Sequence, residues 1–116
     1  AQLKRDGNNL FCTKIISVAD AILGCEVTIP TLDGGQKLKL SAGTQSGYVE
    51  KLRGKGMPSV NGYGRGDLYV KILVWIPRKL DRESKQAIER MKAIGVTEPD
   101  PSRDDKAIFE KESKYF

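Results

Sequence analysis

Asp67-Leu68-Tyr69-Val70-Lys71-Ile72-Leu73-Val74-Trp75-Ile76 is the stretch that decides the fold class. Leu68, Val70, Ile72, Val74 and Ile76 alternate with Tyr69, Lys71, Leu73 and Trp75, the two-residue period of a β-strand. The first set faces one way and is a candidate core row. The second set is too apolar for open solvent, so something is expected to cover part of it. Pro77 ends the strand.

Working back from this strand, Arg53 to Gly66 holds five of the twelve glycines and one proline, a long turn-rich loop. Tyr48 to Leu52 reads as a strand, and Ser41 to Gly47 as a loop with Gly43 and Gly47 at its joints. Cys25, Val27 and Ile29 alternate with Glu26 and Thr28 on a half-buried strand that Pro30 is expected to stop. Leu32-Asp33-Gly34-Gly35 is a tight turn, because Asp-Gly supplies the positive φ a hairpin needs, and Leu38 and Leu40 return on the partner strand. Before it lies a short helix. Ser17 can cap its first turn, Asp20 lies three positions on, and Gly24 suits its end. Leu10 to Ile16 is a strand with imperfect alternation.

Working forward, Asp81 to Ile94 reads as a helix with Asp81 as cap, a narrow apolar stripe of Ala87, Ile88, Met91 and Ile94, and Gly95 as its close. Pro99 and Pro101 make Val96 to Pro101 a linker. Ser102 with Asp105 marks a further helix start, and Ile108, Phe109, Tyr115 and Phe116 give that helix an aromatic edge. A helix shorter than about 12–15 residues is marginal in water, so this arm must dock on its own body or on a second copy. The expected architecture is mainly β: a small antiparallel β unit with hairpins and one short inserted helix, followed by C-terminal helices.

Composition removes several functions. The 116 residues suit one domain of modest core, with 39% hydrophobic and 30% charged residues. No apolar run approaches the roughly 20 residues of a membrane helix, so no membrane partner is expected. The polar start, Ala1 to Asn9, is no secretory signal, and the missing initiator Met suggests a piece of a longer chain. There is no histidine, which removes the usual general base, and no pair of carboxylates shares a convincing context, so no catalytic residue is assigned. Cys12 and Cys25 are too few for a structural zinc site. They are expected as small buried residues, with a disulfide as the alternative; the reduced state suits a cytoplasmic protein.

Three motifs invite over-reading. Gly43-Thr44-Gln45-Ser46-Gly47 has the outline of a phosphate loop, but no Lys-Ser/Thr pair follows. Gly62-Tyr63-Gly64-Arg65-Gly66 has the wrong spacing for a dinucleotide site and runs into a strand. Arg65-Gly66-Asp67 spells an adhesion tripeptide without a secretion signal. Charge is uneven: from Glu98 onward six acids and four bases give −2, which leaves +7 of the net +5 on the first 97 residues. A basic body with the loop Lys51-Leu52-Arg53-Gly54-Lys55-Gly56 keeps a nucleic-acid-binding module open as the rival class, although only Tyr48 and Tyr63 lie near as stacking platforms.

The ordered motifs carry a resemblance. Lys4-Arg5-Asp6-Gly7-Asn8-Asn9-Leu10, Ala21-Ile22-Leu23-Gly24, Ile29-Pro30-Thr31-Leu32-Asp33-Gly34, Ala42-Gly43-Thr44-Gln45-Ser46-Gly47, Leu52-Arg53-Gly54-Lys55-Gly56-Met57-Pro58 and Gly64-Arg65-Gly66-Asp67-Leu68 follow one another in the chain. Together they resemble the second C-terminal β domain of DnaJ-type J-domain co-chaperones, from Leu3 to about Ile94. Leu3 stands where a Phe is usual, and Glu50 where an aromatic or aliphatic residue is common.

The resemblance implies a two-layer β fold with a short helix, in a homodimer held by the C-terminal segment. It implies residues 1–79 as the β domain, 80–95 as a helix and 96–116 as linker and dimerisation arm. It implies binding of non-native polypeptide clients and their presentation to a DnaK-type ATPase chaperone. The full-length protein would carry a J domain and, in many members, zinc in an upstream cysteine-rich region; no cofactor is expected in this stretch. Client contact is assigned to Leu10, Val27 and Ile29, with membership of the core as the alternative. Dimer contact is assigned to Ile108, Phe109, Tyr115 and Phe116, with packing against Trp75 or the Asp81–Ile94 helix as the alternative. A purely structural dimerisation domain stays open beside the client-binding reading.

Overall fold

The computed structural model describes residues 3–59 and 64–99. The chain forms two compact units, Ala1–Ile76 and Pro77–Phe116. The first unit is mainly β with one short helix. Its elements are β1 (Lys4–Asp6), β2 (Asn9–Ser17), α1 (Val18–Leu23), β3 (Cys25–Thr31), β4 (Gly34–Leu40), β5 (Val49–Leu52) and β6 (Leu68–Trp75). A four-stranded sheet runs in the order β1-β2-β6-β5, and β3-β4 form a two-stranded ribbon.

The hairpin pairs β1-β2, β3-β4 and β5-β6 are antiparallel. The central pair departs from the all-antiparallel expectation: β2 and β6 run parallel, from Leu10 beside Leu68 to Ser17 beside Trp75. Alternation reports which residues share a face and is blind to strand direction. The near-continuous apolar character of Leu68–Trp75 was the available signal, because strands in parallel pairs usually sit centrally.

Alternation then builds the core. Leu68, Val70 and Ile72 are fully buried on one face of β6, beside Leu10, Cys12 and Ile16 of β2 and Leu52 of β5. From the ribbon come Ile29, Leu38 and Leu40, and Ala21 comes from α1. Each large aliphatic buried here contributes about 1.5–3 kcal/mol. The imperfect alternation of β2 comes from Lys14, which occupies the inward row between Cys12 and Ile16 yet stays partly exposed. Pro30 does not stop β3; it pairs with Gly35 inside the ribbon. Both strands of a two-stranded ribbon are edge strands, where a missing N–H is tolerated.

Local chemistry sets the joints. Ser17 Oγ accepts from the Asp20 N–H at 3.0 Å, and the Gly24 N–H donates to Asp20 O at 2.8 Å, which closes α1 at both ends. Gly43 N–H and Thr44 N–H both donate to Ala21 O, so the Ala42–Gly47 loop finishes the helix and not a phosphate. The same loop then covers the end of β6: Gly47 N–H donates to Ile72 O, Ile72 N–H to Tyr48 O, and Val74 N–H to Ser46 Oγ.

The second unit contains α2 (Arg82–Ile94). Asp81 Oδ1 accepts from the Ser84 N–H at 2.7 Å, and Gly95, in the left-handed region, ends it. The expected arm helix with Ile108, Phe109, Tyr115 and Phe116 lies outside the described residues, as does Tyr63.

Candidate functional site

Two parts of the first unit concentrate unusual geometry. One is a knot of backbone at the start of β2 and β6. Gly56 N–H donates to Gly66 O, Gly66 N–H to Met57 O, and Met57 N–H to Asn8 O, all within 2.8–2.9 Å. Three chain segments meet so closely that a methyl on Gly66 would stand 2.0 Å from Asn8 O, and one on Gly56 2.5 Å from the same atom. Asn9 Oδ1 accepts from the Asp67 N–H, and Asp67 Oδ1 accepts from the Gly54 N–H. That second bond, with Lys51 3.4 Å away, holds the Asp67 carboxyl below the usual carboxylate range. The glycine-rich motifs therefore form a structural joint.

Arg65 extends this joint to the other layer. Its guanidinium donates twice to Gly56 O and once, at 2.7 Å, to Asp33 Oδ2 in the β3-β4 turn. Arg65, assisted by Lys55, holds the Asp33 carboxyl below its ordinary range. Asp33 is thus more than the turn-former its position suggests: it ties the ribbon to the sheet. Nor is the basic loop a free phosphate cradle, since Lys51 pairs with Asp67 and Lys55 lies 4.0 Å from Asp33.

The second part is the outer face of the four-stranded sheet. Phe11 and Tyr69 lie side by side across β2-β6 and stack at 5.1 Å between centroids, 12° from parallel. The next rungs on that face are Thr13 beside Lys71, Ile15 beside Leu73, and Ser17 beside Trp75. Ile15 is 63% exposed and Trp75 57%, and Phe11, Val49 and Leu73 are exposed too. Part of the cover expected for Tyr69 comes from Phe11; Leu73 and Trp75 stay on the surface. An open groove of ≈ 590 Å³ crosses this face, between Lys4, the stacked rings, Ile15, Val49 and Lys71. Large apolar side chains are grouped on this sheet face, interrupted at one rung by Thr13 and Lys71, as on candidate interaction surfaces.

The residues assigned to client contact from sequence sit elsewhere. Leu10 and Ile29 are 4% and 0% exposed and belong to the core; Val27 is half-buried against it. A fully buried side chain has no surface to offer a ligand, so their geometry fits the alternative, core packing. Their neighbours Phe11 and Ile15 hold the exposed positions. Both rows of β2 are apolar, and the sequence gives no sign of which one the ribbon covers. Glu50 lies on the inward row, opposite Val70, and accepts from the Tyr48 hydroxyl, so it does not interrupt the outer face. That bond pushes the Tyr48 phenol up. Cys12 is buried and Cys25 half-buried; both are free thiols pushed up by desolvation, away from a reactive thiolate. Among the described residues no three His, Cys, Asp or Glu side chains converge to hold a metal.

The family described as DnaJ C terminal domain matches residues 1–77. The chain belongs to this family. It is 46% identical over 114 residues to the chaperone protein DnaJ of Bacteroides thetaiotaomicron, covering 98% of this chain and 28% of that protein. It is 44% identical over 115 residues to the Bacteroides fragilis DnaJ and 43% over 112 residues to that of Clostridium perfringens, covering 99% and 96% of this chain and 29% of each relative. The chain thus spans less than a third of the DnaJ proteins it matches. Of the stretches that carry the resemblance, Leu52–Pro58 and Gly64–Leu68 are the two sides of the glycine knot, and Ala42–Gly47 is the loop that closes α1. Among the described residues no helix is long and apolar enough to cross a membrane.

Proposed function

We propose that this DnaJ C-terminal domain holds non-native polypeptide on the outer face of its four-stranded sheet, for hand-over to a DnaK-type ATPase chaperone by the longer protein. The observation that carries the proposal is the ladder Phe11/Tyr69, Ile15/Leu73 and Trp75, an apolar surface that the ribbon, lying against the opposite face, does not cover. Unfolded chains expose apolar side chains that native proteins bury, and a flat, shallow site can take many of them. The domain contributes binding and no covalent chemistry. Zinc, where a member of the family carries it, belongs to the upstream cysteine-rich region.

The direct test is titration of the full chain with a fluorescein-labelled apolar peptide, read by anisotropy, for wild type and for F11S/I15S. Loss of binding with retained circular dichroism supports the proposal. Equal binding by the variant refutes it.

A second role is dimerisation through Ile108, Phe109, Tyr115 and Phe116. Their support is the aromatic edge on a segment too short to be a stable helix alone. Light scattering of the full chain and of a chain ending at Pro101 tests it. A dimer that becomes a monomer is expected; an unchanged mass refutes it.

A further inference from the structure

The groove on the outer face has a charge pattern that specifies its occupant. Lys4 and Lys71 border it, and no carboxylate lines it. Neither lysine has an ion-pair partner among the described residues, whereas Lys51, further along β5, is already paired with Asp67. Asp6 lies on the same face two residues from Lys4, opposite Asn9 and on the other side of the stacked rings from Thr13 and Ile15, and Asp67, two residues before Tyr69, is taken up by Lys51 and the Gly54 N–H. The register fixes the spacing. Lys4 lies opposite Phe11, and Lys71 lies beside Thr13 on the strand after β2. Two strand spacings across and two residues along put their Cα atoms about 12 Å apart on a diagonal over Phe11 and Thr13.

An extended peptide rises about 3.4 Å per residue and shows alternate side chains to one face. Residues i and i+4 therefore lie about 13–14 Å apart on the same side, with residue i+2 between them. We infer that the groove selects polypeptide segments of the pattern acidic-x-aromatic-x-acidic. The central ring lies over Phe11 and Thr13, midway along that diagonal and beside the Tyr69 ring, and the two carboxylates meet Lys4 and Lys71. The inference rests on the outer face being the polypeptide site, and it adds a sign: acidic-flanked apolar segments are preferred over basic-flanked ones. Single-stranded nucleic acid, which also combines stacking rings with negative charge, is the occupant to be distinguished. The groove favours a peptide because its floor adds exposed aliphatic side chains, Ile15 and Val49, to the rings.

The test uses the full chain and three fluorescein-labelled twelve-residue peptides with the centres Glu-Ser-Phe-Ser-Glu, Gln-Ser-Phe-Ser-Gln and Lys-Ser-Phe-Ser-Lys, plus a labelled oligo-U RNA, at low salt. Two partly exposed ion pairs predict that the acidic peptide binds about fivefold more tightly than the neutral one. K4E/K71E reverses the order of the acidic and basic peptides. If all three peptides bind equally and lose binding together in F11S/I15S, the face is a client site without charge selection and the inference fails alone. If no peptide responds to F11S/I15S, the client-site reading falls with it. If the RNA outcompetes the acidic peptide and K4E/K71E abolishes RNA binding, the groove is a nucleic-acid site and both are overturned.

Discussion

Replacing Gly66 by Ala places a methyl carbon 2.0 Å from Asn8 O and 2.3 Å from Asn8 C. Ordinary contact at such a position begins at 3.4 Å, so the Asn8 carbonyl must retreat by about 1.4 Å. Backbone does not give way like a side-chain tip. The retreat also stretches the 2.8 Å bond from the Met57 N–H to that carbonyl. Overpacking costs about 1–3 kcal/mol and a lost hydrogen bond about 1 kcal/mol, so G66A should destabilise the domain by about 3 kcal/mol. Gly54 is the control: its φ is +72°, but nothing stands within 4 Å of the added methyl. G54A should cost only the left-handed backbone penalty of about 1–2 kcal/mol. Urea denaturation followed by far-UV circular dichroism separates the two, with the G66A midpoint falling by about 1–3 M. A G66A midpoint no lower than that of G54A would refute the close-packed joint and the explanation of this chain's glycine-rich stretches built on it.

Other perturbations test separate parts of the account. I72A, at a fully buried position, should lose about 2–5 kcal/mol in the same assay, and I15A on the outer face less than about 0.5 kcal/mol. Asp33 and Asp67 titrate below the ordinary carboxylate range when folded. Their contribution is therefore fully present above the unfolded value of about pH 4 and is lost as pH falls through the lowered folded values. D33N/D67N should be less stable at pH 7 and show a flatter acid limb than wild type; parallel curves would contradict the latch. Trp75 is the only tryptophan and is exposed, so an apolar peptide bound on this face should shift its emission to the blue. An unshifted spectrum at saturation would place the peptide elsewhere.

Much of the fold is legible in the sequence because it is written in local chemistry. The caps Ser17 and Asp81 and the stops Gly24 and Gly95 act over three or four residues, and the two helices among the described residues begin and end where those residues stand. The alternation of Leu68–Trp75 gives the correct inward row, since Val and Ile on one side outweigh Lys71 and Tyr69 on the other. The parallel neighbour of that strand is not legible, because strand order is decided by contacts nearly sixty residues apart, such as the Asp67 N–H on Asn9. Which row of β2 faces outward is not legible for a related reason. Leu10 and Ile29 alternate as well as Phe11 and Ile15 would, and only the docked ribbon decides which row of β2 sees water. The link from Arg65 to Asp33 is invisible for the same cause: each residue explains itself locally as loop or turn, and the bond spans 32 positions.

The measurement closest to the central claim is the affinity of the full chain for an unfolded, apolar polypeptide with and without the outer-face ladder. Removing Phe11, Ile15 and Leu73 together as F11S/I15S/L73S strips three apolar contacts worth about 1.5–3 kcal/mol each when fully buried. The account predicts binding at least about tenfold weaker, with an unchanged fold by circular dichroism. Binding as tight as wild type would mean that clients do not use this face.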